Sequence, residues 1–455
     1  MLKKCLVYAF FLLAPVLAMG QEITKEFSLP DILTLKESIK IGLENNRTLK
    51  KAILNEEKAK YQRNEIRGAG LPQLSAYGQY NNFLDVFPQA VPGGIFGGDP
   101  NEIQVISLGV PQSLKAGFEL NQLLFSNSYL IGLKAAKTGE EFYRILAQQS
   151  EEDVIYEISM NYLGVIQLEL QKENLRANID QLESLEKILQ SQYDNDLARK
   201  VDLNRVKVNL TTIKSEQENL NIAIYQREGY LKLLMGIPIN TVINLDQSVA
   251  NVDQKVKKFQ VRDFNILDRK NIQVLGMQEQ LYKYEYKNIK AANQPQLVGF
   301  ADFNKNAFSQ DFDFLNQNRV WYQGFLIGVR LQIPIFDGMQ TKYKAAQSKV
   351  NAQQLNLDRL QAEDAAELEY KNAINKYYNS LSTLESLDGN LDLADDVFKE
   401  TTLLYKEGLS PLTDLLNAET TQREAQTNYT NQIIQVRIAQ LEILNSSGKI
   451  TTLLL

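Results

Sequence analysis

Residues able to do chemistry are few in this chain, and they gather where helices are expected to turn. The sequence has no histidine and a single cysteine, Cys5. A Ser-His hydrolase is excluded, and the commonest metal ligand and general base are missing. What remains beside one predicted turn is Tyr405, Ser410-Pro411, Asp414 and Asn417. Ser410-Pro411 reads as the N-cap and first position of a helix. Asp414 then lies in the first turn, where a carboxylate complements the helix dipole. Asp414 and Asn417 are one turn apart, so both can face one side of that helix. Asp202 holds the same place after an earlier turn, behind Tyr193. No nucleophile–base pair or metal cluster accompanies these residues, so no enzyme, cofactor or metal site is expected.

The match of Asp202-Leu203 with Asp414-Leu415 belongs to a duplication. Leu71-Pro72-Gln73-Leu74 returns as Gln294-Pro295-Gln296-Leu297, and Leu123-Leu124-Phe125-Ser126 as Pro334-Ile335-Phe336-Asp337. Tyr193-Asp194-Asn195-Asp196-Leu197 returns as Tyr405-Lys406-Glu407-Gly408-Leu409, and Gly236 as Gly448. A unit this long is a fused supersecondary structure and not a short solenoid repeat. Each copy reads as helix, strand, loop, strand, very long helix, turn, helix. Helix is predicted from near 35 to 68, 127 to 193, 202 to 235, 264 to 292, 338 to 404 and 412 to 444. The two longest are each on the order of 100 Å at ~1.5 Å per residue. Strands are predicted at about 74–83, 113–125, 297–303 and 321–336. The first pair of strands is joined by a loop rich in Gly and Pro, from 84 to 107, and the second by a shorter one. In the clearest strand, Leu114, Ala116, Phe118 and Leu120 alternate with Lys115, Gly117, Glu119 and Asn121.

The N-terminus reads as a secretory signal, with Lys3 and Lys4 before an apolar run from Leu6 to Leu17 and a small-x-small site at Ala18-Met19-Gly20. Its removal takes away Cys5 and leaves a chain for export without disulfides. The formal charge of −6 argues against a nucleic-acid partner. The chain divides into a signal peptide (1–20), a first repeat (21–240), an inter-repeat segment (241–262), a second repeat (263–448) and a tail (449–455). The acidic run Glu151-Glu152-Asp153 reads as a solvated helix face.

Long helices with broken apolar stripes need neighbours side by side, in a bundle or a tube. About four amphipathic strands cannot close a membrane barrel alone, because the smallest bacterial barrels have ~8. Either several chains pool their strands in a membrane, or a small soluble sheet caps a coiled coil. Tyr77, Tyr80, Phe125, Trp321, Tyr322 and Phe336, near strand ends, suit interfacial girdles or packing within a soluble sheet.

The sequence resembles the TolC family of outer-membrane efflux and secretion channels across essentially the whole mature chain. The resemblance is carried by Leu33-Thr34-Leu35-Lys36-Glu37-Ser38-Ile39 to Leu43-Glu44-Asn45-Asn46, by Leu71-Pro72-Gln73-Leu74, by Ile333-Pro334-Ile335-Phe336-Asp337-Gly338, and by Tyr405-Lys406-Glu407-Gly408-Leu409 leading to Thr413-Asp414-Leu415-Leu416-Asn417-Ala418. The resemblance implies a mainly α fold with a membrane β-barrel. A homotrimer would form a twelve-stranded barrel in outer-membrane lipid above a long helical tube through the periplasm. A periplasmic adaptor and an inner-membrane pump would dock at the far end, and the segment 237–262 with the tail would form a belt. The function implied is a passive exit duct; the competing reading is a periplasmic coiled-coil scaffold without a barrel. The resemblance also places Asp414 and Asn417 at a pore constriction and matches Tyr405 and Asp202 to a gate hydrogen bond. Ser410 stands where the family has a gate arginine and Val201 where it has that arginine's partner. Helix stabilisation by Asp414 and Asp202 remains the alternative to gating.

Overall fold

Two helices of nearly equal, unusual length set the shape of the molecule. The computed structural model describes residues 29–86, 88–97, 99, 101–107, 109–250, 259 and 264–454. The expected signal peptide and most of 251–262 lie outside these residues. Thr34 opens the described helices with a capping box, its hydroxyl accepting from Glu37 N while the Glu37 carboxylate accepts from Thr34 N. Helix α1 (Leu35–Asn45) is separated from α2 (Arg47–Gly68) by Asn46. The sequence pattern predicts a single helix here. Asn46 ends the first helix and caps the second, its Oδ1 accepting from Thr48 N and Leu49 N while Nδ2 donates to Leu234 O at 2.7 Å. The break is therefore fixed by a buried long-range bond.

Strand β1 (Gln73–Asn82) follows, then a small hairpin of β2 (Pro88–Pro92) and β3 (Ile103–Ser107), and then β4 (Gln112–Ser126). The expected loop at 84–107 thus holds a two-stranded ribbon. Its prolines stand at the ends of β2, where a missing N–H is tolerated. Helix α3 (Asn127–Asp194) runs 68 residues, and α4 (Lys200–Met235) returns along it. Gly236, at φ 70°, ends α4 in the left-handed conformation, and a Cβ there would stand 2.5 Å from Asn45 O. Helix α5 (Lys270–Ala291) starts later than expected, after a short 3-10 turn at Ile266–Asp268. Strands β5 (Gln296–Ser309) and β6 (Tyr322–Gln332) precede α6 (Gln340–Lys406, 67 residues) and α7 (Leu412–Ser446). β5 is twice as long as its expected 297–303, because Asn304, Lys305 and Asn306 continue the strand. β6 stops short of the expected 336, at Gln332, before Ile333-Pro334.

The main core lies midway along the helices. Leu33, Ile39, Ile155, Ile158, Tyr162, Met235, Ile237, Leu245 and Ile434 pack there. Each fully buried side chain of this size contributes about 1.5–3 kcal/mol. Tyr162 has no exposed surface, and its hydroxyl lies 2.9 Å from the carbonyl oxygens of both Leu33 and Asp246. It thereby clamps the inter-repeat segment to the start of α1. Smaller clusters along the lower half join α3 to α4 and both to α7, through Leu182, Leu189, Leu203, Val206, Ile213, Leu412 and Leu415. The acidic run is not a solvated face throughout: Glu151 and Glu152 are half-buried and only Asp153 is exposed. Burial pushes the Glu152 carboxyl up to about 7, against the opposing pull of Lys270 and Arg269.

Candidate functional site: a two-faced sheet and a helical tip

The four long strands form one antiparallel sheet in the order β1-β4-β5-β6. Strands from both repeats therefore meet at β4–β5, and β1 and β6 are left as open edges. Side chains alternate across a sheet, so the register assigns each residue to a face. One face carries Leu74, Ala76, Leu114, Phe118, Leu120, Ala301, Phe303, Phe325, Ile327, Val329 and Leu331. The other carries Ser75, Tyr77, Gln79, Asn81, Lys115, Glu119, Asn121, Asp302, Asn304, Asn306 and Arg330.

Most of the apolar face is bare, though at its outer end Ala307 is buried and Phe312 and Phe314 pack on Tyr80. Leu74 and Phe325 are each 71% exposed and Ile327 72%. The polar face is cross-linked instead. Tyr77 donates to Asp302 Oδ2 at 2.7 Å, Asn304 also donates to Asp302, and Lys115 lies 3.9 Å from that carboxylate and over the Tyr77 ring. Tyr77 belongs to this network and not to a girdle. Tyr322 also shares the polar face, through its pairing with Asn306. Tyr80 and Phe125 lie on the apolar face towards its opposite ends. Trp321 precedes β6, and Phe336 is largely exposed below it. Beyond the sheet, Phe314 is buried against Tyr80, Phe312 and Arg319.

At the other end of the long helices the two repeats make the same turn. Leu197 N donates to Gln192 O and Asp196 N to Tyr193 O; Leu409 N donates to Leu404 O and Gly408 N to Tyr405 O. Both are Schellman turns, with the left-handed position filled by Asp196 at φ 60° and by Gly408 at φ 73°. Ser410 is not the N-cap expected for it. Pro411 takes that position and α7 starts at Leu412, while Ser410 Oγ donates to Asp414 Oδ2 at 3.1 Å. Asp414 is in the first turn of α7, and Asp414 and Asn417 are both exposed on one side of it.

The repeat-one equivalent differs. Asp202 is buried, and its carboxylate is held by Arg199, whose Nε donates to Oδ2 at 2.8 Å. Tyr405 packs beside Leu189, Leu203 and Leu412. Burial raises the pKa of its hydroxyl, and the negative charge of Asp202 raises it further. Among the described residues no hydrogen bond joins Tyr405 to Asp202 within the chain, and the Asp202 carboxylate is paired with Arg199. Sequence reasoning missed Arg199, although its i,i+3 spacing to Asp202 was visible. It also missed Glu419, buried on α7 beside Arg423 and Asn209, whose carboxyl is pushed up by burial. Above the tip, an apolar groove of about 500 Å³ opens between α3, α6 and α7, lined by Leu182, Leu185, Ile188, Phe398, Leu415 and Leu416.

Solved structures agree in fold. The CmeC outer membrane channel of Campylobacter jejuni superposes with a TM-score of 0.72 at 15% identity, over 91% of this chain and 85% of that one. The outer membrane protein VceC of Vibrio cholerae gives 0.70 at 14%, over 91% and 96%. The open state of the MtrE outer membrane channel of Neisseria gonorrhoeae gives 0.69 at 18%, over 91% and 88%. Residues 266–449 match the family model of the outer membrane efflux protein. No curated protein sequence matches the chain. The match to the efflux protein model thus falls on the second repeat, and the chain as a whole shares the fold of these channels.

Proposed function

We propose that this chain is one subunit of a trimeric outer-membrane exit duct for an efflux or type I secretion system. The single observation that carries this reading is the two-faced sheet with open edges. Its bare apolar face is what a membrane strand presents to lipid, and its polar face is what such a strand presents to a water-filled lumen. A soluble scaffold would cover so large an apolar surface with protein. Open edges at β1 and β6 are resolved by pairing β6 of one chain with β1 of the next. Three copies then give twelve strands, with the loops at 83–111 and 310–321 outside the cell and the Asp196 and Gly408 turns in the periplasm.

Cargo would pass from an inner-membrane pump through a periplasmic adaptor into the tube. The exposed tips and the apolar groove beside them are the surfaces placed to meet those partners. In the trimer, Asp414 and Asn417 from three chains would ring the periplasmic mouth, the carboxylates attracting cations and Asn417 adding no charge. Mass measurement on the detergent-solubilised protein tests the reading. A trimer that fractionates with outer membrane is expected; a folded monomer released by osmotic shock would leave the periplasmic scaffold as the answer.

A further inference from the structure

The apolar face holds one charged residue. Register across all four strands aligns Gly78, Ala116, Lys305 and Gln323 in one row of that face. The row towards the helices is Ala76, Phe118, Phe303 and Phe325, and the row away from them is Tyr80, Leu114 and Ala307. Gly78 and Ala116 stand side by side; Ala76 continues the low ground along β1, and Tyr80, Leu114 and Phe118 rise around it. No heavy atom lies within 4 Å of where a Gly78 Cβ would stand. The row is therefore a shallow recess, floored by Gly78 and Ala116, with Lys305 and Gln323 beside it. Lys305 is exposed, and among the described residues it makes no ion pair.

Lys305 lies eight residues along β5 from Leu297, the first apolar residue of that strand on this face. At ~3.3 Å per residue and a tilt of about 40°, this is roughly 20 Å along the membrane normal. The apolar band of an outer-membrane barrel is about 25 Å tall. A charge is expensive at mid-band and nearly free at its border. Lys305 is thus at the outer border, where its four-carbon stem can lie along the half-buried Leu114 and carry the ammonium to headgroup level.

We infer that the Gly78–Ala116–Lys305–Gln323 recess binds a phosphate-bearing lipid of the outer leaflet, one acyl chain lying over Gly78 and Ala116 and the headgroup phosphate meeting Lys305. The inference rests on the barrel reading, since it needs this face to meet lipid. Charge complementarity selects an anionic headgroup. The depth of the row selects the outer leaflet.

The test is native mass spectrometry of the purified protein titrated with a bis-phosphorylated diglucosamine lipid, after insertion into phosphatidylcholine liposomes has been checked. Lys305→Gln is expected to weaken binding about fivefold, the worth of one lysine at a charged membrane surface. Lys305→Arg should keep it, and Lys342→Ala, at the start of α6, should leave it unchanged. Gly78→Leu should weaken binding without altering charge, by filling the recess. Unchanged binding in both Lys305→Gln and Gly78→Leu overturns the inference. Competition by inorganic phosphate at the same concentration as the lipid also overturns it, by making the ligand a free anion. A wild-type protein that does not insert into liposomes refutes the barrel reading itself, before any lipid is added.

Discussion

Ile327 and Leu326 are neighbours on β6 with similar exposure in the single chain, 72% and 56%. Their faces are opposite. Ile327 pairs with Ala301 on the apolar face, and Leu326 pairs with Asp302 on the polar one. Ile327 stands four residues from Leu331 at one border of the apolar band and four from Gln323 at the other, so in the proposed barrel it marks the midplane. Ile327→Arg should then cost about 2–4 kcal/mol per chain, and about 6–12 kcal/mol for a trimer in which three copies act together. Leu326→Arg would face Asp302 across the lumen wall and change stability by no more than about 1 kcal/mol. Trp321, the only tryptophan, lies one residue before β6 and supplies the assay. Its fluorescence would follow urea unfolding and refolding in liposomes for both variants. A large loss of refolded fraction is expected for Ile327→Arg alone. Equal effects from the two arginines, or a stable and water-soluble Ile327→Arg protein, would refute the assignment of faces.

In the proposed trimer, Asp414→Ala should lower cation preference and divalent block in planar-bilayer conductance, Asn417→Asp should strengthen both, and both effects should shrink at high salt. Unchanged selectivity with a lower Tm in Asp414→Ala would make this carboxylate only a helix-start residue. Tyr405→Phe should alter stability by less than about 0.5 kcal/mol, because its hydroxyl makes no bond to Asp202 within the chain; a thermal shift equivalent to more than about 1 kcal/mol would show that the hydroxyl is bonded in the assembled tube. Glu152 has a folded pKa of about 7, above its ordinary 4.5. The folded state therefore holds a proton that the unfolded state has lost between these values, and stability falls as pH rises through that window. Glu152→Gln should raise stability by about 1–2 kcal/mol at pH 8, after allowance for half exposure, and by nothing at pH 4; urea melts at the two pH values would check it.

The sequence exposed the large periodicities and hid the local bonds. Alternation from Leu114 to Leu120 was readable because it separates apolar from polar side chains at every step. The outer half of β5 was not, since Asn304, Asn306 and Lys305 have the composition of a loop, and only pairing with β4 and β6 makes them a strand. The break at Asn46 depends on Leu234 O, far away in sequence. At the tip, Tyr405, Asp202 and Asp414 were visible as types and spacings, and the turn geometry around them was readable from Gly408. What decides their roles is which carboxylate has a partner, and Arg199 takes only one of the two. Ser410-Pro411 has the composition of a cap, yet proline occupies the cap position and the hydroxyl turns to Asp414.

Ser126 is both the last residue of β4 and the cap of α3, its Oγ accepting from Tyr129 N. No spare chain separates that strand from that helix. Residues 333–339 intervene between β6 and α6, with Gly338 and Met339 both at positive φ. A clasp tethers this slack: Asp337 accepts from Thr341 N and Asn293, and Thr341 donates back to Asn293. In mechanical terms the first repeat is a fixed spar and the second a hinged one. Torsion applied at the Asn195 tip passes along α3 directly into β4, whereas torsion applied at the Gly408 tip can be spent on backbone rotation below β6. Rotation of the helical tips relative to the sheet therefore has a compliant joint at the base of the second repeat that leaves the strand registers intact.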